Sequence, residues 1–198
     1  MSLFTKKKIS TKPLPKFEPI GLGQIPPASI ILFYGGNKLT QWAGNWLCKH
    51  PYAPPAFHAS FYLGNGLHLN VGKFKTIQSV EPEFRSTRRI DAILIPSLTV
   101  EQSVRMVRTA FLDADDPHIG LSLPTYSISD YLRFALRFLR PSKKDFCSEN
   151  VVELFMTEGV VVSSHKAVDT APWDLLEYAE KNGFEVRTLF TGPNFKQP

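Results

Sequence analysis

Residues 57–71 read FHASFYLGNGLHLNV. Two β-rich runs flank a Gly-Asn-Gly, whose residues tolerate the positive φ angles of a tight turn, so the stretch is an antiparallel hairpin. A hairpin alone does not bury enough surface to be stable in water and needs neighbouring strands or a packed helix. Further β-type runs are available at 28–34 (ASIILFY), 89–96 (RIDAILIP) and 184–190 (FEVRTLF). Most of the remainder has helical spacing. In NKLTQWAGNWLCKH (37–50), Leu39, Trp42, Trp46 and Leu47 share one side. Thr99 and Gln102 form a capping-box pattern that predicts a helix from about 100 to 113. Ser127 is placed to cap ISDYLRFALRFLR, which ends before Pro141. KKDFCSENVVELFM (143–156) predicts another helix, opening near Cys147. Thr170 is placed to cap APWDLLEYAEKNG, and Gly183 stops it. Strands come mainly first and helices mainly later. That order predicts an α+β domain, with an antiparallel sheet and helices on one side.

A chain of 198 residues, 43% hydrophobic, is enough for one globular domain. Residues 1–27 are rich in Lys and Pro and read as a basic extended arm, leaving 28–198 as the folded domain. Five Lys and one Glu within 1–20 account for +4 of the net +5. The body is therefore nearly neutral, which argues against a specific nucleic-acid surface and suits the arm to an acidic partner. The other dense basic cluster, RSTRR at 85–89, reads as a solvated turn. Apolar runs such as SIILFY are too short to span a bilayer. The basic N-terminus lacks an apolar signal region, which predicts synthesis in the cytoplasm. A protein released by lysis or carried in a particle would read the same way. The two cysteines, Cys48 and Cys147, make neither a disulfide framework nor a zinc site, and no phosphate-binding glycine loop occurs.

Cys147 lies between the polar RPSKKD and the helical SENVVELFM. Free N–H groups at a helix start favour a thiolate, so this cysteine has the setting of a nucleophile. The competing reading is a small apolar residue under the helix, and the same reading fits Cys48 better still. A cysteine nucleophile needs a base, and the base needs a group to orient it. His58 starts a strand, where it is either a base or a satisfied edge histidine. Across the turn, His68 and Asn70 share one strand face, and either would reach a histidine on the neighbouring strand. His50, His118 and His165 fall in loop-like contexts and have no assigned role.

Taken in order, ASIILF, FHASFYLGNG, LHLNV and FCSENVVELF resemble a known pattern. It is that of the circularly permuted branch of the NlpC-type papain-like superfamily. The branch includes the YiiX/YaeF-like amidases and, more distantly, the lecithin:retinol acyltransferase-like enzymes. The family pattern runs GDIILF, a helix, SHVGIYLGDG, a polar residue on the next strand, and a late CSE opening a helix. VDTAPWDLLEY is similar to its TPSDL segment. The resemblance covers about 28–190 and implies a permuted papain-like fold with the cysteine at a helix N-terminus. It also implies Cys147 as nucleophile and His58 as base, with Asn70, twelve positions later, as orienting residue. His68 remains the alternative for that last role. The implied activity is a cysteine hydrolase that cleaves a peptide, isopeptide or cell-wall peptide amide through a thioester, with no cofactor required. A lipid acyltransferase or phospholipase on the same residues, or a non-catalytic module of this fold, are the other readings. Three positions depart from the pattern: Ala28-Ser29 for Gly-Asp, Asn70 where Glu is frequent, and PPAF before the histidine.

Overall fold

A computed structural model describes residues 21–35, 56–71, 75–87, 89–114 and 147–192. The helices expected at 37–50 and 128–140 lie outside the described residues, as do Cys48, His50 and His118. Six strands form one sheet: β1 (Ile30–Tyr34), β2 (Ala56–Gly64), β3 (Leu67–Val71), β4 (Lys75–Ser79), β5 (Arg89–Leu94) and β6 (Glu185–Thr191). Their spatial order is β4-β3-β2-β1-β5-β6, and each neighbouring pair is antiparallel. Three helices accompany them among the described residues: α1 (Val100–Asp113), α2 (Cys147–Met156) and α3 (Pro172–Lys181). A single helical turn, Glu83–Ser86, joins β4 to β5. The chain is α+β, as expected, and β4 is the strand that the sequence reading did not anticipate.

Local chemistry explains the elements. Asn65 (φ 51°) and Gly66 (φ 76°) both lie in the left-handed region, the requirement of a two-residue hairpin turn matched to strand twist. At α1, Thr99 accepts from the Gln102 N–H while the Gln102 side chain accepts from the Thr99 N–H, closing the expected capping box. The cap of α3 differs from expectation by one residue. Ala171 precedes the helix, and the Asp174 carboxylate accepts from its N–H at 2.8 Å. Thr170 instead donates to the Lys166 carbonyl and bonds the Ser163 hydroxyl. With Pro172 as the first helical residue, Ala171 is held extended, so the helix starts one step later.

The sheet separates two apolar layers. One face presents Ile30, Leu32, Ala59, Phe61, Leu69 and Ile93 to all three helices, with Phe61 edge-on to Phe155 of α2. Burying each such large side chain contributes about 1.5–3 kcal/mol. The opposite face gathers Ile31, Phe33, Tyr62, Ile90 and Leu94. Residues 21–27, the described part of the basic arm, pack here. Ile25 is buried in this layer, and the Tyr62 hydroxyl donates to the Leu22 carbonyl and accepts from Gly66 N. Ala28 stands at φ 63°, where the family pattern has glycine; a non-glycine residue there costs about 1 kcal/mol.

Charge is buried on the helix-covered face. Arg89 and Asp91, opposite Tyr34 and Leu32 in the register, are paired at 2.7 Å. Thr188 donates to the same carboxylate oxygen, and the guanidinium lies over the Tyr34 ring. Arg89 closes the RSTRR cluster expected to be solvated, yet it is buried, because β5 carries it inward beside a carboxylate.

Candidate active site

Strands β2 and β3 carry both candidate histidines and Asn70. A bulge in the β1–β2 pairing falls where Phe33 opposes His58 and Tyr34 opposes Ala56. Bulges re-aim the side chains at a strand end and recur beside active sites. The His58 ring packs against Phe33 and Phe57, and His68 also packs against Phe33. Cross-strand register sets His68 opposite Tyr62 and Asn70 opposite Thr76, so the polar residues of β2, β3 and β4 fall on one face. That row comprises His58, Ser60, His68, Asn70, Thr76 and Gln78, all buried.

Hydrogen bonds divide the row. His68 Nδ1 meets the Ser60 hydroxyl at 2.8 Å. Asn70 lies beside His58 and donates to Gln78 Oε1 at 2.9 Å. Gln78 in turn donates to Thr76 at 2.9 Å. Of the two residues the sequence left open as orienting groups, Asn70 lies near His58, and His68 Nδ1 meets Ser60. Burial lowers the His58 pKa to about 4, partly offset by the Asn70 hydrogen bond. Burial, then the neighbouring charge of His58, lowers His68 to about 3, with a backbone hydrogen bond at Ser79 opposing. Both rings are neutral at pH 7.

Cys147 is the first residue of α2, only 2% exposed. The helix packs over β2 and β3 on the face of Ala59, Phe61 and Leu69, opposite the face that carries His58 and Asn70. Val151, Val152, Leu154 and Phe155 join the apolar layer beneath the helix, but Cys147 belongs to neither apolar cluster. Its neighbours anchor the helix start. Ser148 donates to the Thr170 carbonyl, and Asn150 reaches Asp113 of α1 at 3.3 Å. Asp113 also pairs with Lys75 of β4, tying α1, α2 and the sheet edge together. Glu149 lies in the first turn, where a carboxylate suits the helix dipole. His165 faces Asp174 at 4.0 Å, at the start of α3.

Sequence reasoning missed Ser60, Thr76 and Gln78. Their signal was alternation: polar residues at every second position of β2 and β4. Alternation names a face without saying whether the face is wet or covered. No family model, curated protein or solved structure matches this chain.

Proposed function

We propose that the protein is a cysteine hydrolase of permuted papain-like fold that cleaves an amide bond in a peptide, isopeptide or cell-wall peptide. The observation that carries this reading is a neutral, buried His58 beside Asn70 on β2 and β3, the strands that the Cys147 helix packs against from the opposite face. A neutral imidazole keeps the ring lone pair that a general base needs. In the proposed step His58 takes the Cys147 thiol proton and the sulfur bonds the substrate carbonyl carbon. The carbonyl π electrons move to oxygen, and the Cys147 backbone N–H receives that oxyanion. Collapse expels the amine, which leaves with the proton from His58. Water, deprotonated by the same ring, then bonds the thioester carbon; the C–S bond breaks, the acid leaves, and the ring returns the proton to the Cys147 sulfur. Asn70 holds the ring in one tautomer throughout.

One observation favours a non-catalytic module instead: Cys147 and His58 are 2% and 4% exposed, so a substrate must gain access to them. Reactivity separates the two readings. Iodoacetamide and an activated ester probe are expected to modify Cys147 rapidly, with mass spectrometry showing an adduct there and little at Cys48. His58→Ala should slow the Cys147 reaction by about 100-fold or more. Equal, slow labelling of both cysteines in the folded protein would sink the hydrolase. Turnover of phospholipid vesicles with no cleavage of wall peptides would move the substrate to a lipid acyl bond.

A further inference from the structure

Helix α1 is committed on two sides. Met106 and Ala110 are buried against the core, and Gln102 and Arg105 reach Glu158, just beyond the end of α2. A third side is apolar and open. Val100, Val104 and Phe111 are 74%, 61% and 46% exposed, and Val107 beside them is half-buried at the margin of the core. A helix face turned away from its own core is ordinarily polar. These four residues are spaced four, three and four apart, the a/d repeat of a helix-on-helix seam. On the helix they fall within an arc of about 60°. Charge flanks the seam on one side only. Glu101 and Arg108, both exposed, each follow the first apolar residue of a repeat. Arg108 makes no ion pair among the described residues, and Arg105, one turn on from Glu101, is held bidentately by Glu158. The other flank carries the small residues Ser103 and Ala110.

We propose that this seam is a homodimer surface, on which α1 of one copy packs antiparallel against α1 of a second copy. The pattern is self-complementary in that arrangement, as a two-fold axis requires. With the axis midway between residues 105 and 106, Val104 of one copy meets Val107 of the other, and Val100 meets Phe111. Each ring therefore faces a smaller branched side chain. Antiparallel helices bring like flanks together, so Glu101 of each copy meets Arg108 of the other, and Ser103 meets Ala110. The two ion pairs form on one flank, and the small residues let the backbones close on the other. Parallel copies would stack Phe111 on Phe111 and set both charges against Ser103 and Ala110, with no opposite charge to meet. Charge complementarity thus selects a second copy, in one orientation, as the occupant. Two helices of 14 residues make a short seam. It buries on the order of 1,000 Å2 in total, the low end of specific interfaces, so association is expected at roughly 10–100 μM. The surface uses none of the residues proposed for catalysis.

Sedimentation equilibrium of the full chain at low salt, from about 5 to about 500 μM, tests the proposal and should show monomer and dimer in exchange. Val104→Glu places a charge in the seam at an exposed position. It should abolish the dimer and leave urea unfolding at low protein concentration unchanged. Glu101→Arg and Arg108→Glu should each weaken self-association about 10-fold or more, because each turns two attractions into repulsions. Mixed together, these two single variants should form a heterodimer of wild-type strength, and both exchanges in one chain should restore the homodimer. That recovery reads orientation as well as contact, since only antiparallel copies pair the two positions. A chain that stays monomeric across the range overturns the proposal. So does a dimer that Val104→Glu leaves intact, or one in which the mixture of charge variants recovers nothing. A monomer that Val104→Glu destabilises overturns it too, and assigns the seam to residues of the same chain outside the described ones.

Discussion

The sheet buries polar groups on both faces, and each face handles the desolvation in its own way. Beneath the helices, at β1, β5 and β6, charge meets charge: Asp91 accepts from Arg89 and Thr188, and Arg89 covers the Tyr34 ring. On the other face, at β2, β3 and β4, the ionisable members among the described residues are two histidines, set beside the neutral Ser60 and Asn70. The first group sets a carboxylate against a guanidinium. The second is stable while protons are kept off. Burial with compensated charge suits a structural role, whereas a base held neutral by its surroundings is the more chemical arrangement. The proton balance also differs in sign. Burial pushes the Asp91 carboxyl up, with Arg89 pulling back only in part, because Asp91 is the more deeply buried partner. Burial pushes both histidines down.

Breaking the ion pair should give the largest effect. Arg89→Met leaves the buried Asp91 carboxylate without its guanidinium and should cost about 3–5 kcal/mol in urea unfolding at pH 7. The double variant Arg89→Met, Asp91→Leu should recover most of that loss, since neither ion then has to be desolvated. A single-variant loss below about 1 kcal/mol would mean that the pair does not differ from an exposed one.

Acid should act on the histidine row. The folded pKa of His58, about 4, lies below the unfolded value of 6.5. Between these values the unfolded chain binds the proton and the folded chain does not. Stability is thus fully present above about 6.5 and is lost as pH falls toward 4, by about 3 kcal/mol for His58 alone. His68 extends the loss toward 3. Asp91 works in the opposite sense, since its raised pKa lets the folded state take up a proton first and relieves strain in acid. Urea midpoints measured from pH 7.5 to 4 should fall steeply in wild type and less in His58→Gln. Parallel slopes in the two proteins would show that His58 is not held neutral by burial.

How much of this was visible beforehand follows from the kind of signal each part leaves. The Asn65-Gly66 turn and the Thr99–Gln102 cap are local, and both formed where the residues indicated. That His58 and Asn70 share a face was legible as well, because a tight turn between two strands fixes which residues do. The Ser60 partner of His68 was not, since same-face residues differ only in which neighbour they meet. Strand β4, KTIQS, escaped because Thr76 and Gln78 look like the wet side of an edge strand. Burial of that side is a tertiary fact. Arg89 escaped for the same reason: a basic cluster reads as solvated until a strand turns its last member inward.

The smallest expected effects sharpen the contrast most, because they remove one neutral hydrogen bond from each group. Thr188→Val takes one of two donors from Asp91 Oδ1, and Ser60→Ala takes the partner of His68 Nδ1. Each should cost about 1 kcal/mol at pH 7. Their pH dependence should then part. Without Thr188 the carboxylate is less well solvated, so its pKa rises further and protonation in acid relieves the loss; the Thr188→Val deficit should shrink as pH falls toward 4. His68 stays neutral over that whole interval, given its pKa of about 3, so the Ser60→Ala deficit should stay level. Urea unfolding of both variants at pH 7 and pH 4, each against wild type at the same pH, measures the two differences. If the deficits shrink together, both groups titrate alike, and the assignment of charge to one face and neutrality to the other fails.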